Sequence, residues 1–110
     1  MLFIKKTHIF AKINLTHMDI DDTIEKIANF FGFTKEAVLG KDNSHKISQA
    51  RNFIYYILHF DCGCSSATIA KKMRRSTRQV QHQNSITKYH VEKFKPFQVT
   101  YNQVINNLDI

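Results

Sequence analysis

The sequence predicts an all-α fold, a six-helix bundle that contains a helix-turn-helix, and three observations predict it. Apolar residues recur at three- and four-residue intervals along most of the chain. Small polar residues that cap helix starts and glycines or a proline that end them stand between those stretches. A short cationic helical stretch is followed after a brief break by a long one, the pattern of a helix-turn-helix. With 110 residues and 43% hydrophobic content, the chain has enough material for one modest core. We expect residues 19–110 to form that domain and residues 1–18 to be an arm.

The first helix is carried by Ile20, Ile24, Ile27, Ala28 and Phe31, which share one stripe. Asp19, Asp21 and Asp22 favour the positive end of its dipole, and Gly32 can close it. Thr34 is placed to cap a short second helix, Lys35 to Leu39, stopped by Gly40. Lys41 to Lys46 is polar without periodicity and reads as a loop. Ser48 can cap a third helix through Ala50, Ile54, Ile57 and Leu58 to about His59. Ser65 or Ser66 starts a short fourth helix with Ile69, Ala70 and Met73. After a break at Arg74 to Thr77, a fifth runs to about Phe94, with Val80, Thr87, Val91 and Phe94 toward the core. Pro96 suits the first turn of a sixth helix, whose stripe is Phe97, Tyr101, Val104, Ile105 and Leu108. The arm stays open: Ile9, Ala11, Ile13 and Leu15 alternate as in a strand, while Leu2, Lys6, Ile9 and Ile13 fit a helix equally well.

Charge is distributed unevenly. Eleven of the 16 basic residues lie between Lys41 and Lys95, against three acids there (Asp42, Asp61, Glu92), so that block carries +8 of the net +7 and the remainder −1. Lys71, Lys72, Arg74, Arg75 and Arg78 fall in one stretch without an acid. Such focusing raises the local concentration of polyanions, and nucleic acid is the expected partner. No apolar run is long enough to span a bilayer, and Lys5 and Lys6 follow the apolar start in the wrong order for a secretory signal. A cytoplasmic, nucleoid-associated protein is expected.

Several segments are similar to the C-terminal DNA-binding domain of the bacterial replication initiator DnaA. Ile24-Glu-Lys-Ile-Ala-Asn-Phe-Phe-Gly-Phe-Thr-Lys-Glu-Ala-Val-Leu39 resembles that family's opening helix pair, in which an apolar stripe runs into Phe-Gly-Ile and a short helix ending in Leu. Ala50-Arg-Asn-Phe-Ile-Tyr-Tyr-Ile-Leu58 resembles its Ala-Arg-Gln-Ile-Ala-Met-Tyr-Leu helix, and Ile69-Ala-Lys-Lys-Met73 its Ile-Gly-x-x-Phe. The resemblance covers roughly Asp19 to Leu108. At the entry to the recognition helix the family has Gly-Gly-Arg-Asp-His-Thr-Thr-Val-x-His-Ala. Here Arg75, Val80 and His82 match, in a turn one residue shorter, while Ser76, Thr77, Arg78 and Gln79 replace Asp-His-Thr-Thr. The resemblance thus implies the family's docking on duplex DNA with a different target sequence. His45 falls where the family has a minor-groove arginine, and Arg51 matches its third-helix arginine. Imidazole is a weaker groove ligand than guanidinium, so Lys41 or Lys46 can take over that contact.

The expected contacts divide by chemistry. Arg75 and Arg78 can form bidentate pairs with guanine, Gln79 and Gln81 with adenine, and Thr77 and His82 lie on the same base-reading face. Lys71, Lys72, Arg74 and Ser76, with Lys41, His45, Lys46 and Arg51, are expected on the backbone or in the minor groove. Phe53, Tyr55 and Tyr56 read as core, with at least one ring facing outward. A protein adaptor that keeps the fold, or a nonspecific nucleic-acid binder, are the alternatives. A homodimer or protein partner would use the arm or the last helix.

Catalysis and cofactors find little footing. Gly40-Lys41 is the only Gly-Lys pair, and Lys35 and Asp42 stand where a phosphate-binding loop needs Gly and Ser or Thr, so no ATPase is expected. His59, Cys62 and Cys64, with His82 or His90, could supply zinc ligands, but only one half-site of the usual pair is visible. The expected reading is a helix ending in a tight Asp-Cys-Gly-Cys turn, with no metal.

Overall fold

Four helices begin at a side-chain cap. In the computed structural model, which describes residues 18–108, Asp19, Thr34, Ser65 and Ser76 each accept a hydrogen bond at 3.1 Å from the backbone N–H three residues on. They open α1 (Ile20–Phe30), α2 (Lys35–Leu39), α4 (Ser66–Met73) and α5 (Thr77–Lys93), while α3 (His45–Phe60) and α6 (Lys95–Leu108) complete the six helices of the described residues. No strand occurs among them. The all-α bundle expected from the periodicity is the observed architecture. The arm falls almost wholly outside the described residues. No helix among them is long and apolar enough to cross a membrane.

The turns follow the punctuation. Gly32 (φ +88°) closes α1 in a Schellman motif, with Phe33 N–H donating to Ala28 O at 2.9 Å and Gly32 N–H to Asn29 O at 3.0 Å. Gly63 (φ +80°) supplies the positive φ in the turn after α3, where Cys64 N–H donates to Leu58 O at 2.9 Å. The third helix starts earlier than its serine pattern indicates. Ser44, not Ser48, is the cap position, and His45 and Lys46 are helical. The cause lies in Asp42, whose Oδ1 accepts from Ser44 N–H at 2.9 Å and so turns the chain before the helix begins.

The central element is α3, which packs against α1, α2, α4 and α5. Every residue from Phe53 to Leu58 is buried, so none of Phe53, Tyr55 and Tyr56 faces outward as the amphipathic reading required. Phe53 stacks between Phe31 and Phe97, with ring centroids 5.6 and 6.4 Å away. The expected core positions Val80, Thr87 and Val91 of α5 are buried, whereas Phe94 is 44% exposed. Phe94 leaves the helix in an extended conformation as the α5 cap, which turns its ring out of the core stripe. Its carbonyl starts the next helix by accepting from Gln98 N–H at 3.1 Å.

A buried polar link closes the bundle. Asp61, fully buried at the end of α3, accepts a 2.6 Å hydrogen bond from the Tyr101 hydroxyl of α6. Burial, and then the Asp61 charge, push the Tyr101 phenol far above its ordinary range, so it remains a donor. Tyr101→Phe removes that donor from a buried carboxylate and is expected to cost about 1.5–3 kcal/mol in unfolding free energy, measured by urea denaturation.

Candidate nucleic-acid interface

The turn between α4 and α5 consists of Arg74, Arg75 and Ser76. Arg74 sits in the left-handed region (φ 59°, ψ 44°), the position at which a helix usually ends on glycine. Arg75 N–H returns to Ala70 O at 2.9 Å, and Ser76 caps the next helix. Three residues thus reverse the chain, and α4 and α5 pack directly on one another. Met73 and Val80, both completely buried, anchor the two sides of the turn.

That anchoring turns the polar residues of α5 outward. Thr77, Arg78, Gln79, Gln81 and His82 are exposed, in the first two turns of the helix, and Ser85 follows on the same exposed side. Lys71 and Arg74 are exposed beside them. Lys72 is exposed but shared: its Nζ lies 3.4 Å from Asp21, which also pairs with Lys35 at 3.4 Å. Burial would raise the Asp21 carboxyl slightly, but the two lysines outweigh it and hold the group below its ordinary value.

The segment before α3 lies against this turn. Arg75 Nη2 donates to Gly40 O at 2.8 Å, which joins the turn to the residue preceding Lys41. Asn43 faces Gln79 and Gln83 across a small polar cleft of about 110 Å³. Lys41, His45 and Lys46 are exposed, Lys41 directly after Gly40, whereas His45 lines another cleft with Ile86, Thr87 and His90 toward the far end of α5. The first residues of the basic loop and the start of α5 are therefore neighbours, which their separation in sequence does not reveal.

Two expected contacts are corrected by the geometry. Arg51 is 4% exposed and spends its guanidinium inside the protein. Its Nε donates to Val38 O at 2.8 Å, Nη1 to Asp42 O, and Nη2 to Gly40 O at 3.0 Å and Ala37 O at 3.4 Å. These carbonyls end α2 and line the following loop, so Arg51 is a brace rather than a minor-groove or phosphate ligand. Burial, and then the charge of Arg75, hold its pKa below the ordinary guanidinium value. Arg75 is half-buried, with Nη1 on Met73 O (3.2 Å) and Arg74 O (3.3 Å) as well as Nη2 on Gly40 O. Its fork is turned back on the protein and does not project with Arg78 and Gln79. Ser76 Oγ likewise serves as the cap.

Of the residues that could supply zinc ligands, His59 is engaged at the helix end, while Cys62 and Cys64 are free thiols. His59 Nδ1 lies 2.9 Å from Cys64 O, and burial first, then Cys64 and Asp61, push the Cys62 thiol up to about 12. Among the described residues no group of three or more His, Cys, Asp or Glu is placed to hold a metal. What sequence reasoning missed is the cleft itself, since its walls come from the loop (Asn43), from α3 (Asn52, Tyr55) and from the α4–α5 turn and α5 (Arg75, Gln79, Gln83), which are distant in sequence. Helical intervals on each wall, Asn52 to Tyr55 and Gln79 to Gln83, were the signal that hinted at it. No family model matches the chain, and a search of curated proteins gave no significant match.

The left-handed Arg74 yields a separable test. A non-glycine residue there costs about 1–2 kcal/mol, of which glycine's extra chain entropy takes back about 0.5–1. Arg74→Gly is expected to raise stability by about 0.5–1 kcal/mol in chemical denaturation while removing an exposed cation from the interface.

Proposed function

We propose that this chain binds double-stranded DNA sequence-specifically, with the start of α5 in the major groove and residues 41–46 near the minor groove. The observation that carries the proposal is the exposure of Arg78, Gln79, Gln81 and His82 at the start of α5 and of Lys71 and Arg74 at its entry, without an exposed acid in the α4–α5 turn, and with Gly40, the residue before Lys41, bound to Arg75. Arg78 supplies a guanine-reading fork and the glutamines an adenine-reading amide, while the flanking cations grip phosphate without reading sequence. The short helix, tight turn and long helix are the scaffold such docking uses. The resemblance to the DnaA C-terminal domain supports a role in replication initiation or its regulation, as a binding module rather than an ATPase, acting in the cytoplasm at the nucleoid.

Salt dependence tests the electrostatic half of this reading. About five phosphate contacts give a slope of log affinity against log salt near about −4.5. Lys71→Ala should weaken all duplexes alike and flatten the slope by about 0.9. Affinity independent of salt, or a Lys71 variant that binds as the parent does, would refute duplex binding through this face.

A protein-adaptor role has one observation on its side. Ile86, Tyr89, Phe94 and Val99 are large apolar side chains that stay exposed where α5 meets α6. On that reading, a partner contact or self-association would survive loss of Arg78 and Gln79 and be lost in Tyr89→Ser.

A further inference from the structure

The polar cleft between α3 and α5 gathers positive charge that the protein itself does not neutralise. Arg51 and Arg75 both donate to one carbonyl, Gly40 O, so their guanidiniums are held side by side. Among the described residues neither forms an ion pair. Asp42 is close enough to favour the charged form of Arg51, but its carboxylate is exposed and turned to Ser44 N–H. Two adjacent cations compensated chiefly by carbonyl dipoles are costly to bury, and an anion beside them would relieve that cost.

The remaining lining supplies donors. Arg75 keeps Nε–H and one Nη2 hydrogen beyond those spent on Met73, Arg74 and Gly40. Tyr55, which lines the cleft, is 1% exposed, and among the described residues its hydroxyl makes no well-aligned hydrogen bond, its nearest polar neighbour being Arg75. Burial raises that phenol, while the charges of Arg75 and Arg51 and the close approach of the Arg75 guanidinium counteract the rise, so the hydroxyl and the Arg75 fork face the same space. Asn43, Asn52 and Gln83 complete the wall. A volume of about 110 Å³ far exceeds the ~10–15 Å³ that one water occupies by the same measure, so a tetrahedral oxyanion has room.

We infer that this cleft is a binding site for a single phosphate group, held by Arg75, the Tyr55 hydroxyl and the amides around them, with Arg51 fixing the wall from behind. The group could belong to a nucleic-acid backbone or to a free phosphate compound. The inference follows from the cleft's chemistry and does not require the base-reading role of α5.

Inorganic phosphate titrated against chloride at constant ionic strength, with the thermal midpoint and the ³¹P resonance followed, tests the site directly. Saturable binding is expected in the parent protein. Tyr55→Phe, which keeps the ring in the core, should weaken it by about ten-fold or more, as loss of one hydrogen bond to a charged group implies. Arg75→Gln should abolish saturation. Because Arg75→Gln also loosens the turn, its unfolding midpoint in chloride is measured alongside, and Tyr55→Phe decides the matter if that variant does not fold. In a second arm, duplexes carrying one neutral methylphosphonate linkage are scanned position by position. A linkage that lowers affinity for the parent but not for Tyr55→Phe identifies the ligand as a backbone phosphate. Tyr55-dependent saturation by inorganic phosphate without such a linkage identifies a free phosphate compound. If neither arm depends on Tyr55, the site does not exist. If no duplex binds but inorganic phosphate does, the DNA-binding proposal fails and this one stands.

Discussion

Replacing Arg51 with methionine is expected to lower the unfolding free energy by about 3–5 kcal/mol, the largest single effect in the molecule. Methionine fills much of the same volume, so the loss is chiefly polar. The guanidinium serves the carbonyls of Val38, Ala37, Gly40 and Asp42, which belong to the end of α2 and the loop beyond it. Without it those acceptors are left inside the protein or must open to water, and an unmade buried hydrogen bond costs more than a made one contributes. Urea denaturation followed by circular dichroism measures the change. Arg51→Lys should recover only a part, since an ammonium cannot reproduce the planar fork that reaches four carbonyls from one side chain. A surface phosphate ligand would behave otherwise: its loss would leave stability within about 0.5 kcal/mol and reduce only DNA affinity.

The second large effect is expected in recognition. Arg78→Ala and Gln79→Ala each remove a bidentate reader, and each should cost about 1–3 kcal/mol on the preferred duplex, about 5- to 150-fold in affinity. The same variants should bind an unrelated duplex of equal length almost as the parent does, apart from the one charge lost with Arg78. Stability should change little, because among the described residues both side chains are exposed. A fluorescence-anisotropy titration of both duplexes at fixed salt separates the two contributions. The neighbouring Arg75 should behave differently from Arg78. Its fork holds Gly40, Met73 and Arg74, so Arg75→Ala is expected to weaken all duplexes through the displaced loop and turn rather than one base position.

The helices were legible because their signals are local. Ile20, Ile24, Ile27 and Ala28 encode α1 by spacing alone, and Thr34, Ser65 and Ser76 encode helix starts by their hydroxyls. The outward face of α5 was legible for the same reason: once Val80, Thr87 and Val91 point inward, Arg78, Gln79 and Gln81 have one direction left. What escaped depends on distant partners. Ser48 looks as good a cap as Ser44, and only the turn made by Asp42 chooses between them. Tyr55 and Tyr56 flank each other on α3, so an amphipathic helix would expose one of them, but α3 is covered from several directions at once. Arg51 and Arg75 were read as part of a cationic surface because charge counts carry no information about direction. Their common acceptor, Gly40 O, lies eleven residues from one and 35 from the other. Composition counted Arg51 and Arg75 as surface charge, and the structure turns both inward.

Selection from a randomised duplex library, run in parallel with the parent chain and with the Arg78→Ala, Gln79→Ala double variant, tests the central claim most directly. The account predicts an enriched motif for the parent, with its specificity relaxed at one or two adjacent base pairs in the variant while the rest persists. A pool without an enriched motif, or the same motif at the same strength from both proteins, would contradict sequence reading by the start of α5.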